Sequence, residues 1–407
     1  MKLRGSFDYI AERPVVLLAA LVAVLAGAEV FLDARRLPLV RPDLLARQAY
    51  EAMELDRAGA RQEAVRLLKE ALRQEGSSPY RWCDLGETLA DKQDIEPARW
   101  CFRRALELGP QIPPVWMRAA NFHLQLGEAA EVLRCTSRVL ALVEDYDQLI
   151  FSYYRLMGIP VLEVLRSGMP QERRAVVSYM RHLLARGSAD EMRSGWNWIA
   201  ARSFSSGDDG LAGEYVAALL AKRLYQDAAE AWARHVGERR GNYLRPERVF
   251  NGDFEYAPTD TALDWRILPV ESVEVSRDPV VRFSGKYALR VRFEGEANVS
   301  YAHTSQIAWV TAGEYRFEAR MRTEGITTNK GLRFRIFDAE AARRLDLVTD
   351  ELVGTHDWKR VERVFTVPAE TNLVTIQLIR EPSLKFDNKI KGTGWVDAVS
   401  LAPLGRR

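Results

Sequence analysis

Apolar and polar residues follow three different rhythms along this chain. From Pro14 to Leu32 the run PVVLLAALVAVLAGAEVFL is apolar throughout, with one charge, Glu29. As a helix it would be about 28 Å long, close to the roughly 30 Å hydrocarbon core of a bilayer. From about residue 45 to 236, apolar positions recur at helical spacing, with breaks such as Gly187-Ser188 and Ser205-Ser206-Gly207. After the polar, glycine-flanked break 237–242 the period falls to two. Residues 286–293 set Tyr287, Leu289, Val291 and Phe293 against Lys286, Arg290 and Arg292, and 315–322 set Tyr315, Phe317, Ala319 and Met321 inward in the same way. Similar runs near 270–276, 332–337, 359–367, 373–380 and 395–402 bring the expectation to about nine or ten strands. Turns such as Ser284-Gly285, Ala312-Gly313 and Gly392-Thr393-Gly394 separate several of them. The pattern predicts a multi-domain chain: an N-terminal transmembrane helix, an all-α solenoid, then an all-β sandwich of jelly-roll type.

The expected segments are 1–36, a cytoplasmic stub and anchor; 40–146, helical repeats; 147–240, divergent helix pairs extending the solenoid; and 246–405, the sandwich. Lys2, Arg4 and Arg13 precede the apolar run and Asp33, Arg35 and Arg36 follow it, so charge barely orients it. Ala26-Gly27-Ala28 offers a signal-peptide cleavage site, but the apolar run continues through Leu32, which favours an uncleaved anchor. Either reading exports the rest of the chain. The expected location is a single-pass bacterial inner-membrane protein with its bulk periplasmic or extracellular.

A 34-residue period is legible between about 45 and 146. In 79–112, Trp82, Leu85, Gly86, Leu89, Ala98, Phe102, Ala105 and Pro110 fall at set offsets, and together they resemble the tetratricopeptide repeat. Residues 113–146 keep Trp116, Ala119, Ala120 and His123, and 45–78 keep Ala52, Leu55, Ala64, Leu68 and Ala71. Small residues at the crossing points let paired helices approach closely. The resemblance implies a groove that docks a partner protein. Trp196, Trp198 and Trp232 are expected in the core of the later helix pairs.

Composition removes some functions. The 407 residues carry 58 Lys and Arg against 56 Asp and Glu, a net charge of +2, which lacks the basic surplus of a nucleic-acid binder. Cys83, Cys101 and Cys135 all lie in the helical part with no CxxC, as small buried hydrophobes, with a Cys83–Cys101 bridge as the alternative. The five histidines form no HxxxH pair, and no nucleophile elbow, P-loop or GxGxxG follows a strand. The expectation is a protein that is not an enzyme.

The sandwich carries the most specific signal. Asn251-Gly252-Asp253-Phe254-Glu255, Trp265, the run 284–291, Gln306, the turn 313–315, Trp358 with Phe365 and Pro368, and the closing run 395–401 resemble carbohydrate-binding modules of the family 4, 9 and 22 kind. That resemblance implies a structural calcium tying the first strand to the last, with Glu255 and Asp397 as carboxylate ligands and the Lys286 carbonyl nearby. Ala398 stands where the family often has a second Asp. The other reading is that Asp253, Glu255 and Asp397 cap turns and pair with arginine. Tyr256, Trp265, Tyr301, His303, Trp309 and Trp395 are expected to be accessible, and Trp358 to be core. Tyr301, His303 and Trp309 share parity on one strand and are the candidate carbohydrate-binding residues, with Ile307 between them. Arg290, Arg292, Arg316, Glu318, Arg320 and Arg322 populate the polar strand faces where cellulose and xylan binders place tryptophans. They read either as a solvated mixed-charge face or as forks for an anionic polysaccharide. The expected function is a membrane-anchored exported scaffold in envelope or exopolysaccharide assembly, binding proteins through its repeats and a polysaccharide through its jelly roll. The alternative is a protein-interaction scaffold whose sandwich no longer binds sugar.

Overall fold

The computed structural model describes residues 41–54, 59–91, 93–170, 172–202 and 209–405. The apolar run 14–32, expected to span a membrane, lies outside these residues. Among the described residues no helix is long and apolar enough to cross a membrane. The described chain forms two compact units: 41–159 with 167–172, and 160–166 with 173–405.

The first unit stacks α1 (Pro42–Glu54), α2 (Ala60–Gln74), α3 (Pro79–Ala90), α4 (Ile95–Leu108), α5 (Pro113–Gln125), α6 (Ala129–Leu142) and α7 (Asp147–Leu156). Proline opens α3 and α5, where a missing N–H costs nothing, and Ser78 caps α3. The repeat predicted from sequence is present in packing. Leu85, Leu89, Ala98, Phe102 and Ala105 are buried, and a side chain at Gly86 would meet the Phe102 ring at 3.0 Å. The indole N–H of Trp82 donates to the Gly76 carbonyl, and that of Trp116 makes the equivalent bond to Pro110 one repeat later. Arg118 reaches back to Asp84, its counterpart in the preceding repeat, at 2.7 Å and also grips Glu87. All three cysteines are buried and free, so the Cys83–Cys101 bridge is not formed.

The second unit combines α8 (Val161–Glu163), α9 (Arg173–Arg186), α10 (Ala189–Ala200), α11 (Asp209–Ala221) and α12 (Tyr225–Val236) with ten strands. Among themselves these helices keep one-repeat pairing, Arg181 with Glu214 and Arg193 with Asp227, and α11 and α12 also pack against the sandwich. The reason is apolar and steric. Trp232 of α12 meets Phe250 edge to face at 5.7 Å, Gly213 of α11 lies so close to Thr261 that an added Cβ would sit 2.4 Å away, and the Tyr225 hydroxyl donates to Glu340. Trp196 and Trp232 are core, as expected. Trp198 is half-buried beneath Arg202, 3.4 Å from its ring centre.

The strands are β1 (Arg266–Ile267), β2 (Val273–Asp278), β3 (Ala288–Glu294), β4 (Tyr301–Trp309), β5 (Gly313–Ile326), β6 (Arg333–Asp338), β7 (Asp346–Val348), β8 (Gly354–Val367), β9 (Leu373–Arg380) and β10 (Lys391–Pro403). They form two antiparallel five-stranded sheets, β1-β4-β9-β6-β7 and β2-β3-β10-β5-β8. Leu289, Val291, Phe293, Phe317 and Met321 from one sheet interlock with Phe334, Ile336, Ile376 and Leu378 from the other.

Because Trp232 fills the junction between α12 and Phe250, Trp232→Ala is expected to cost about 3–5 kcal/mol. Calorimetry should show the transition of the sandwich-containing unit falling while that of the repeats holds. An unmoved sandwich transition would show that the helices do not support it.

Candidate functional site

β10 runs between β3 and β5, so alternate residues of three strands share one outward face. Trp395 stands directly between Arg290 and Arg322, and in the next row Asp397 faces Arg320, which faces Arg360. Trp358 follows on β8, outward like Arg360 and Glu362. It was expected in the core, but β8 turns Val361 and Val367 inward and leaves Trp358 half-buried on the outer surface.

The loop joining β2 to β3 folds over this face, and three carboxylates hold it. Asp278 accepts from the N–H groups of Val280 and Val281 and from the Trp395 indole, the last at 2.8 Å. Asp397 accepts from Phe283 and Ser284 at 2.8 and 2.9 Å and from its neighbour Ala398. Glu255 accepts from Lys286 and Tyr287. Gly285 has φ +59, and a side chain there would collide with the Glu255 carboxylate at 2.2 Å, so this turn requires glycine. The expected pair, Glu255 and Asp397, is therefore brought to one turn, as the sequence implies. The Lys286 N–H donates to Glu255 at the same turn.

The held loop sets Phe283 over the sheet, 44% exposed. The Arg320 guanidinium lies 4.6 Å from its ring centre, and Trp358 meets it edge-on at 5.8 Å. Trp395 is only 6% exposed, so its ring supports the Arg322 guanidinium at 5.6 Å rather than contacting a ligand. Arg320 pairs with no carboxylate among the described residues, and Arg322 reaches only the exposed Asp357, at 3.8 Å. Two guanidiniums with spare donors, flanked by two accessible rings, suit a ligand with carboxylate, sulfate or phosphate groups on ring-shaped units. The arginines are legible as the polar face of β5, whereas Phe283 is not, its one local signal being the Ser284-Gly285 turn that follows it.

The candidate residues on β4 divide differently. Tyr301 is 1% exposed in the core, its hydroxyl on Thr304, and burial pushes its pKa up to about 12. It cannot be a carbohydrate platform. The cause is a β-bulge: β4 pairs with β9 at Tyr301 and next at Thr304, which breaks the assumed parity. Beyond it His303, Ile307 and Trp309 do share the outer side, all half-buried, with His303 5.6 Å from the Tyr301 ring and Arg248 5.0 Å over Trp309. Trp265 is also core, its indole bonded to the Asn251 carbonyl, whereas Tyr256 is exposed as expected.

The fit of calcium rests on charge. Asp397 is 0% exposed, its pKa is raised by burial and further by Asp253, and no Lys or Arg among the described residues pairs with Asp253, Glu255 or Asp397. The expected arginine pairing is therefore not what neutralises them. Backbone N–H groups satisfy the carboxylates of Glu255 and Asp397 without neutralising their charge, and carboxylate oxygen is the donor type a calcium ion takes. Its further ligands would be carbonyl oxygens or water, since among the described residues no cluster of three or more His, Cys, Asp or Glu is placed to hold a metal.

No protein-family model matches this chain, and no curated protein matches it. Among solved structures, the sandwich end is similar to several carbohydrate-binding modules. One is the family 61 module in complex with β-1,4-galactotriose, at 20% identity over 39% of this chain and 99% of that one, TM-score 0.28. Another is the family 22 xylan-binding domain from Paenibacillus barcinonensis, at 13% identity over 38% and 94%, TM-score 0.26. A family 4 module shows 14% identity over 38% and 99%, TM-score 0.28.

Calcium is expected to raise the melting temperature of the protein, EDTA to reverse the rise, and Asp397→Asn to abolish it. Melting indifferent to both additions removes the ion from the account.

Proposed function

We propose that this protein is a non-enzymatic binding protein whose β-sandwich holds an acidic polysaccharide on the face formed by Phe283, Arg320, Arg322 and Trp358. The observation that carries the reading is Arg320: stacked on an exposed ring, fixed in place, and without a carboxylate partner among the described residues. A charged fork pre-positioned in this way binds an anion with little ordering cost. A calcium ion between Glu255 and Asp397 would stiffen the loop that presents Phe283. The helical repeats dock a partner protein, a role supported by a cleft of about 680 Å³ lined by Leu72, Trp82, Leu85, Leu89 and Trp100, with Lys69 and Arg73 also lining it. The run 14–32 tethers the whole to the bacterial inner membrane, with the folded units on the periplasmic side, and envelope or exopolysaccharide assembly is the proposed setting. The absence of a catalytic motif in the sequence is what speaks for binding without turnover.

A second reading has one specific observation in its favour. The apolar repeat cleft has open aromatic surface, with Trp82 and Trp100 edge to face at 5.0 Å, whereas Trp395 in the sandwich is sealed. On that reading the protein is a protein-interaction scaffold and its sandwich binds no sugar.

A glycan array with the full-length protein separates the two. The first reading expects acidic glycans to be retained, more weakly at high salt, with Arg320→Ala and Trp358→Ala each lowering affinity by about tenfold or more. Silence across neutral and acidic glycans supports the second, and shortening of the polymer during incubation would make the protein an enzyme.

A further inference from the structure

On the opposite sheet, where α12 approaches the end of β4, a second cleft of about 350 Å³ opens. It is lined by Glu230, Ala233 and Arg234 of α12, by Arg240, Tyr243, Leu244 and Arg245 of the segment that follows, and by Trp309. Its polar chemistry is one-sided. Arg234, Arg240 and Arg245 are exposed, and none pairs with a carboxylate among the described residues; the Arg234 Nε only returns to the Glu230 carbonyl in its own helix. Glu230, the single acid, is engaged by Gln226.

Two further donors line the same cleft. Tyr243 is 3% exposed as a residue and lines the cleft, and its hydroxyl is not among the sealed, unpartnered polar atoms of the described residues. The Trp309 indole N–H has no hydrogen-bond partner among the described residues, and its ring is held by Arg248, whose buried Nε is also unpartnered. A cleft with three arginines free of carboxylate partners against one acid, beside an aromatic ring, suits an anion with a flat apolar side.

We propose that this cleft is a second binding site, distinct from the Phe283–Arg320 face, and that it takes the carboxylate of an acidic sugar ring. Arg240 and Arg245 clamp the carboxylate, Tyr243 donates to a ring substituent, and Trp309 stacks on the apolar side of the ring. The volume accommodates a ligand of one or two rings, so the cleft reads a chain end or a single residue where the open face reads a length of polymer. The site stands on its own residues and does not require the open face to bind.

Calorimetric titration of the full-length protein with galacturonic acid and glucuronic acid dimers tests it, with the matching neutral dimers and inorganic phosphate as comparisons. With the open face disabled by Arg320→Ala, the expected result is residual binding of an acidic dimer that adding Arg240→Gln/Arg245→Gln weakens about tenfold or more. Trp309→Phe, which keeps an aromatic ring but loses the indole N–H and part of the stacking surface, should weaken it less than the double arginine variant. Acidic-dimer binding that is lost in Arg320→Ala and untouched by the double arginine variant overturns the cleft while leaving the open face standing. Equal binding of phosphate and acidic dimer overturns the sugar assignment, and no binding of any dimer overturns the site.

Discussion

The buried carboxylate of Asp397 is the constraint on which the sandwich's outer face depends. β10 must carry a charge into a position with no solvent, and the structure meets that cost by closing the β2–β3 loop over it, so that two loop N–H groups and the N–H of Ala398 solvate the carboxylate. Glu255 takes the next two N–H groups of the same loop. The loop thus has little freedom, and Phe283, which it carries, is delivered to Arg320 and Trp358. An aromatic residue on a free surface loop would have to be ordered on binding; here the ordering is done during folding.

The two units divide the chain's work along physical lines. In the first, repetition makes the stability: equivalent bonds from Trp82 and Trp116, and the Asp84–Arg118 rung, recur because each helix pair presents the same surface to the next. In the second, the helices keep one-repeat rungs, Arg181 with Glu214 and Arg193 with Asp227, while α11 and α12 also join the sandwich through Gly213 and Trp232. Their arrival builds the arginine-lined cleft at Trp309, which the sheets alone would not possess.

Local periodicity explains what was legible in the sequence and what was not. Alternation in 286–293 and 315–322 put the right residues inside β3 and β5, and the Trp-Leu-Gly-Leu spacing after Pro79 placed α3 and α4 correctly, because each depends only on neighbours one or two turns away. Tyr301 was misplaced because a bulge adds one residue to β4, and nothing local marks it. Trp358 was misplaced because aromatic character argues for burial while strand phase, set by partners 40 residues away, turned it outward. The resemblance named Glu255 and Asp397, but which loop N–H groups they accept from is decided by loop closure, which no local pattern marks. Phe283 was missed for the same reason: its partners Arg320 and Trp358 meet it only in three dimensions.

The claim that the loop-held face is the polysaccharide contact is most directly tested by following the tryptophan indole N–H signals by NMR while an acidic oligosaccharide is added. The account predicts that the signals of Trp358 and Trp395 move together and saturate, while those of Trp82 and Trp100 in the repeats stay fixed. Saturating binding that leaves Trp358 and Trp395 unmoved would contradict it.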